Sequence, residues 1–238
     1  MREISHRLRY SAQREKFARP TTTMKLALII ISIITVISVA LFYFTADRSL
    51  GVAVDMPWQV RVIDPQHSEV FGVVLNQTTL EQARQKFGQV DGIALFRNSD
   101  GQFSLEAYFG KVHFGHFSAR LIANLDASQQ EMEKLTAFSI KRVPKEDGSI
   151  RWTLNSDKQA EQATRRIRAL SYIPDYKGMD EQYLIERFGE PARRETVDNT
   201  SERWFYPQRG IRILLDSKGK ELFEYMPPAQ FTLPQEAQ

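Results

Sequence analysis

The longest apolar stretch of the chain runs from residue 26 to residue 44 and contains no charged side chain. A helix of this length, at about 1.5 Å per residue, covers the roughly 30 Å hydrocarbon core of a bilayer. A surface helix of a globular domain would show a polar face, which this stretch lacks. The pattern therefore predicts a transmembrane helix at 26–44.

A cleaved signal peptide is the main alternative, because Ser38-Val39-Ala40 has the small-x-small pattern of a cleavage site. The apolar run continues past that site to Phe44. It is also longer than the apolar part of a signal peptide, which usually has about 7 to 15 residues. These two features favour an uncleaved anchor.

The charges that flank this stretch predict its orientation. Basic residues dominate before it, whereas Asp47 and Arg48 balance each other just after it. By the positive-inside rule we expect an inner (plasma) membrane protein with a cytoplasmic N-terminus and residues 45–238 in the periplasm. The basic residues before the stretch are Arg2, Arg7, Arg9, Arg14, Lys16, Arg19 and Lys25.

Beyond the apolar stretch, residues 79–88 and 180–189 share a helix pattern. Each segment opens with a residue suited to cap a helix and stops at a glycine, Gly88 or Gly189, which readily adopts the backbone that ends a helix. Pro191 prevents continuation of the second helix. We expect two short helices and a weak internal repeat.

Alternating apolar and polar positions predict antiparallel strands after each of these helices. Two further helices are predicted at 128–138, where Ser128 and Glu131 form a capping box, and at 156–170. A hairpin is expected over 144–153. The predicted strands are 58–63, 93–97, 103–109, 117–125, 202–206, 211–216 and 221–225.

These elements predict an α+β fold in which short helices pack on antiparallel sheets behind an N-terminal transmembrane helix. We expect two α+β units, of which the first is either a diverged copy of the second or matches it only through the chemistry of helix caps. The predicted divisions are a basic tail (1–25), the transmembrane helix (26–44), a linker (45–57), a first unit (58–154), a second unit (155–228) and a loose tail (229–238).

Composition removes several classes of function. The chain has no cysteine, so it has no disulfide, thiolate metal site or cysteine nucleophile. The net charge of +3 comes from the basic tail, since the rest of the chain is slightly acidic. A basic tail is weak evidence for nucleic-acid binding, and we expect no nucleic-acid partner.

The second repeat resembles a known family. Gly178-Met179-Asp180, Phe188-Gly189-Glu190-Pro191 and Trp204-Phe205-Tyr206 are similar to the pattern of the BamE/SmpA outer-membrane assembly lipoproteins. The resemblance covers residues 176–226 and assigns structural roles to Gly178, Met179, Gly189 and Pro191. It implies a small α+β layer that holds other proteins together, with no known reaction. Members are tethered through a lipidated cysteine, which this chain lacks.

Catalytic and metal-binding motifs are missing from the sequence. His113 and His116 are close in sequence, but residues three apart in a strand point to opposite faces and do not share an ion. We therefore expect no catalytic residue, no metal and no cofactor.

Two groups of residues are candidates for contacts. Trp204 and Tyr206 share one face of a predicted strand and Phe205 the other, so these aromatics form a core or a partner surface. A second group makes the outer side of the predicted helix 156–170 basic, as solvated surface or as a contact for anionic lipid. This group consists of Lys158, Arg165, Arg166 and Arg168.

These features predict a protein-binding or scaffolding module of the bacterial cell envelope, anchored in the inner membrane, whose partners are envelope proteins. An envelope hydrolase with a site assembled from scattered residues is the alternative. A third possibility is an accessory protein that contacts lipid or peptidoglycan.

Overall fold

The computed structural model describes residues 56–115, 117–176 and 179–233. Of these residues 45% lie in strands and 23% in helices, so the protein is mostly β. The predicted fold class is therefore corrected: the dominant element is one large antiparallel sheet, rather than two small α+β units behind a membrane helix.

The predicted membrane anchor is also corrected. Residues 26–44 lie outside the described part of the chain. Among the residues that are described, no helix is long and apolar enough to cross a membrane. The structure does not support the transmembrane helix, the inner-membrane location or the periplasmic placement of residues 45–238, and we withdraw these three assignments.

The described strands form two sheets. A small one contains β1 (Arg61–Asp64), β2 (His67–Val70) and β3 (Val73–Val74). The large one has ten strands in the order β10-β11-β12-β13-β9-β6-β5-β4-β8-β7, with all neighbours antiparallel. Its strands are β4 (Gly92–Arg97), β5 (Phe103–Phe114), β6 (Phe117–Leu125), β7 (Ser139–Pro144), β8 (Ile150–Leu154), β9 (Ile167–Pro174), β10 (Arg193–Thr196), β11 (Ser201–Tyr206), β12 (Ile211–Asp216) and β13 (Leu222–Tyr225).

Four α-helices are described: α1 (Leu80–Phe87), α2 (Gln129–Leu135), α3 (Ser156–Ala160) and α4 (Glu181–Phe188). Short 3₁₀ turns cover Thr136–Phe138, Glu161–Thr164, Pro207–Arg209 and Pro228–Gln230. The predicted capping box of Ser128 and Glu131 is present at the start of α2, and Thr79 and Gln82 form another at the start of α1. Local capping chemistry therefore sets where these helices begin.

The two helices of the internal repeat end in the same way. Gly88 after α1 has φ 94° and ψ −170°, and Gly189 after α4 has φ 76° and ψ −176°. Each glycine N–H donates to the carbonyl four residues earlier. This backbone region is open almost only to glycine, so the residue type dictates the stop.

The predicted helix at 156–170 is wrong over its second half. The helix gives way to a 3₁₀ turn after Ala160, and residues 167–174 form β9. A register shift in the pairing of β9 with β6 places Ile167 and Leu170, three residues apart, on one buried face. A bulge in this strand thus gives two buried apolar residues a separation of three positions, which is also the spacing typical of a helix.

The strand β9 lies at the centre of the sheet. On one side of β9 lie β6, β5 and β4, and on the other side lie β13, β12 and β11. Along the chain, each repeat helix is followed by one of these meanders, and the last strand of each meander, β6 or β13, pairs with β9. The predicted boundary at 154/155 falls between β8 and α3, inside one continuous sheet with one core.

The core includes a cluster of aromatic rings around Phe71, which follows β2. Phe71 is 1% exposed and has a positive φ of 52°, which is uncommon for a non-glycine residue. Its ring centroid lies 4.6 Å from that of Phe114 and 5.3 Å from that of Tyr172, and it also contacts Tyr225. Burial of this ring offsets the backbone strain and joins the small sheet to the large one.

We expect Gly189→Val to destabilise the protein by about 1–2 kcal/mol or more, because a β-branched side chain strains at this positive φ. Gly189→Ala should cost less, since no atom lies within 4 Å of the added Cβ. Urea unfolding measures both. Equal stability of the wild type and both variants would contradict the role of Gly189 as a helix stop.

Gly210→Ala should be more damaging, by about 3 kcal/mol or more, because strain and overpacking combine. Gly210 has φ 65°, and an added Cβ would overlap the carbonyl oxygen of Met226. Gly101→Ala is the matched control, since Gly101 has φ 84° and open space around it. The same urea experiment should rank Gly210→Ala well below Gly101→Ala in stability.

The capping box of α2 should make stability depend on pH. The Ser128 N–H and hydroxyl, followed by Arg165, lower the pKa of Glu131 to about 2. Because the pKa is lower in the folded state, this stabilisation is present above the ordinary pKa of 4.5 and is lost as the pH falls toward 2. Relative to Glu131→Gln, the wild type should lose its advantage in melting temperature between pH 5 and about pH 2. A difference that stayed constant over this range would contradict the assignment.

Candidate functional site

The two faces of the ten-stranded sheet differ in what covers them. Buried side chains of α1, α2 and α4 share one core with the alternate strand residues that face them. The strand residues that alternate with these core residues point to the other face of the sheet and are mostly half-exposed. We call their surface on β4, β5, β6, β8 and β9 the open face. It includes Phe96, Glu106, Tyr108, Ile122, Asn124, Arg151, Thr153, Ser171 and Ile173.

A cluster of aromatic rings and basic groups lies on the open face. The Arg151 guanidinium carbon is 5.8 Å from the ring centroid of Phe96 and 5.6 Å from that of Tyr108. The Lys145 Nζ lies 5.5 Å from the Phe96 ring centroid. These distances are within the range of cation–π attraction. The Arg151 Nε is buried and has no hydrogen-bond partner in the described part of the chain.

A carboxylate anchors this cluster. The Tyr108 hydroxyl donates to Glu106 Oε2 at 2.9 Å, and the Ser104 hydroxyl donates to Glu106 Oε1 at 3.0 Å. Burial, followed by the charge of Glu106, raises the pKa of Tyr108. Tyr108 therefore stays neutral at physiological pH and acts as a fixed ring with a bound hydroxyl.

Next to the cluster is a depression of about 930 Å³. The β5 strand bulges beside it between Tyr108 and Gly110, and the Asp91 carboxylate lies where a Cβ at Gly110 would be. Glycine at 110 therefore lets this acid lie against the strand backbone. The side chains that line the depression include Asp91, Tyr108, Lys111, Arg120, Ile122, Arg151, Ile173 and Asp175.

Asp175 supplies a fixed negative charge in this depression. Its carboxylate lies 3.1 Å from Lys220 Nζ and 3.2 Å from Lys111 Nζ. The hydrogen bond from Lys220, then that from Lys111, lowers the pKa of Asp175. The acid stays ionised near neutral pH and holds both lysines in place.

The C-terminal segment covers the same side of the sheet at β11 and β12. The Phe231 ring meets the Phe205 ring edge-on at a centroid separation of 6.3 Å, and the Arg212 guanidinium lies near both rings. Phe205 is consequently fully buried although it points away from the main core. The open face is thus confined to the half of the sheet that contains β8, β4, β5, β6 and β9.

The aromatic residues that the sequence offered as a partner surface are buried. Trp204 and Phe205 are 0% exposed and Tyr206 is 5% exposed. The Trp204 indole donates to Glu202, and the Tyr206 hydroxyl donates to the Gly189 carbonyl at 3.0 Å. The three rings therefore pack inside the protein, as the alternative prediction of a core role for this strand stated, and they do not form a partner surface.

The basic residues proposed for lipid contact do not share one helix face. Lys158 in α3 pairs with Glu161 at 2.7 Å. Arg165 follows the 3₁₀ turn and bonds to Gln162, the Asp126 carbonyl and Glu131. Arg166 forms an isolated bridge with Thr79, and Arg168 is in β9. Because the predicted helix breaks here, the predicted basic stripe does not form.

Of the residues with predicted structural roles, Met179 and Pro191 can be located in the structure, in addition to the glycine that ends α4. Met179 is 3% exposed and belongs to the core, and Pro191 is half-buried. Gly178 and His116 lie outside the described residues, and His113 is exposed. Within the described ranges, no group of three or more acidic or histidine side chains is arranged to hold a metal ion.

The open face was not predicted from the sequence. Its signal in the sequence is that apolar residues such as Tyr108 in β5 and Ile122 in β6 stand where a strand with one solvent-exposed face would carry polar residues. A strand with apolar residues on both faces is typical of a strand buried on both sides. In this protein no described element covers the second side of these strands.

Comparison of the chain with protein-family models, with curated proteins and with solved structures finds no match. The resemblance of residues 176–226 to the BamE/SmpA family therefore stays a prediction.

Proposed function

We propose that this protein is a protein-binding module that captures its partner on the open face. The proposal rests on one observation: no described element covers one side of half of the ten-stranded sheet, and aromatic, aliphatic and arginine side chains lie on that side. Sheets normally bury such a surface against another layer. A partner protein would supply that layer.

The residue types on the open face support a protein partner. Aromatic residues and arginine are enriched at the centres of protein interfaces, where a few of them account for most of the binding free energy. Phe96, Tyr108 and Arg151 form such a group, and their mutual contacts hold them in place before binding. Preorganised anchors lose little conformational entropy on association.

The charges around this group favour specific recognition. Lys111 and Arg120 are exposed at the depression, and Asp91 provides an opposite charge nearby. A rim of mixed charges orients a partner and selects against wrong ones. The resemblance to a family of assembly lipoproteins implies the same kind of activity, which is holding proteins together.

Binding accounts for the depression better than catalysis does. General acid–base catalysis needs a group whose pKa lies near the working pH. The ion pairs of Asp175 lower its pKa, and burial raises the pKa of Tyr108, so both groups are shifted away from neutrality. They are suited to fixed electrostatic and hydrogen-bonding contacts.

We expect a photo-crosslinking amino acid at Ile122 to form one discrete adduct in cells of the source organism, because Ile122 lies on the open face between Tyr108 of β5 and Ser171 of β9. The matched control is the same amino acid at Glu133, which is exposed on α2. Mass spectrometry of the adduct identifies the partner. Equal adducts from both positions would contradict the assignment of the binding surface.

With the partner identified, Arg151→Ala should weaken binding by about 2 kcal/mol, which is roughly 30-fold in Kd. Glu133→Ala should leave the Kd within about twofold, since an exposed charge outside an interface contributes little. Calorimetric titration measures both, and circular dichroism checks the fold. A folded Arg151→Ala variant with wild-type affinity would remove Arg151 from the interface.

A further inference from the structure

An acidic depression lies apart from the open face, where three segments meet. The start of α4 forms one wall, the β10–β11 turn a second and the β12–β13 turn a third. The volume is about 520 Å³, which is within the roughly 300–1,000 Å³ of small-ligand sites. Its lining includes six carboxylates and no lysine, arginine or histidine among the described residues. The six acids are Asp180, Glu181, Asp198, Glu202, Asp216 and Glu221.

Most of these carboxylates have structural partners. Asp180 caps α4 by accepting from the Tyr183 N–H at 2.8 Å. Asp198 accepts from two backbone N–H groups and a hydroxyl in its own turn. Glu202 accepts from the Trp204 indole, and Glu181 pairs with an arginine of β10. Local capping and pairing explain why these acids are present.

Glu221 has no such explanation. It directly precedes β13, is 6% exposed, and lines the depression. Its Oε2 atom is buried and has no hydrogen-bond partner among the described residues. A buried carboxylate oxygen without a partner is unfavourable. A cation with N–H donors in the depression would supply that partner.

The geometry indicates which kind of cation fits. No three of the described acidic side chains are placed to hold one metal ion, so the carboxylates are too dispersed for a metal site. Dispersed acceptors suit a cation that carries several N–H donors. Met179 and Leu215 also line the depression and provide apolar contact for an alkyl chain.

We propose that this depression binds an alkylammonium group, with Glu221 as its buried acceptor. The source of this group is either a free polyamine or the lysine side chain of a bound protein. Both present a primary ammonium on a flexible methylene chain, so the same contacts serve either source.

Spermidine is the first probe, titrated calorimetrically into the full chain. Glu221→Gln should weaken its binding at least tenfold, because the amide keeps the shape of the side chain and removes the charge. Asp216→Asn, at the end of β12, should weaken it by a smaller factor and provides a second variant should the first misfold. Glu146→Gln, an exposed acid in the β7–β8 turn, is the control and should bind as the wild type does.

A second arm distinguishes the source of the ammonium. The peptide acetyl-Gly-Gly-Lys-Gly-Gly-amide is compared with its acetyllysine form and with spermidine. Tighter binding of the lysine peptide assigns the site to a protein partner, and tighter binding of spermidine assigns it to a polyamine. Binding that is unchanged in both Glu221→Gln and Asp216→Asn overturns the proposal. Displacement of spermidine by equimolar Mg²⁺ also overturns it, since that result indicates diffuse attraction to acidic surface.

Discussion

The pairing of β9 with β6 on one side and β13 on the other holds this protein together. The contacts of β9 with β6 extend from Ile167 to Pro174, and those with β13 continue the sheet without a break. Without this strand, each meander would end in an exposed edge of unpaired backbone groups. The core depends on it as well, because Leu170 and Tyr172 of β9 are fully buried between the two halves.

Packing around this strand brings distant parts of the chain into one core. The Phe71 ring stacks on Tyr172 and contacts Tyr225 edge-on, so the turn after β2 is held against the joint between the two meanders. The Tyr225 hydroxyl donates to the Pro57 carbonyl at 3.0 Å, which fixes the start of the described chain to the end of β13. Such long-range contacts close large loops and make the fold cooperative.

The buried side chains of α1, α2 and α4 lie on one side of this sheet, and the open face is on the other side. On the other side the C-terminal segment covers β11 and β12, while β4, β5, β6, β8 and β9 keep apolar and cationic side chains available. The acidic depression forms instead at the ends of strands, where turns and the start of α4 collect carboxylates that cap local backbone groups. The two sites therefore differ in charge and in the kind of partner they suit.

The sequence by itself determined the local structure of the protein. Thr79 with Gln82 and Ser128 with Glu131 start helices, Gly88 and Gly189 end them, and strict alternation predicts strands such as β5 and β6. These features depend on residues within about one helical turn or one strand, so their spacing is visible in the chain.

Only the tertiary structure decided how these elements combine. The bulge that makes Ile167 and Leu170 share a face arises from pairing with β6, and the burial of Phe205 arises from Phe231 far along the chain. The position of the open face depends on which side of the sheet the helices cover. That side is set by contacts between residues far apart in sequence, which the local pattern does not show. The carboxylates of the acidic depression likewise come from three separate segments, so their convergence has no local signal.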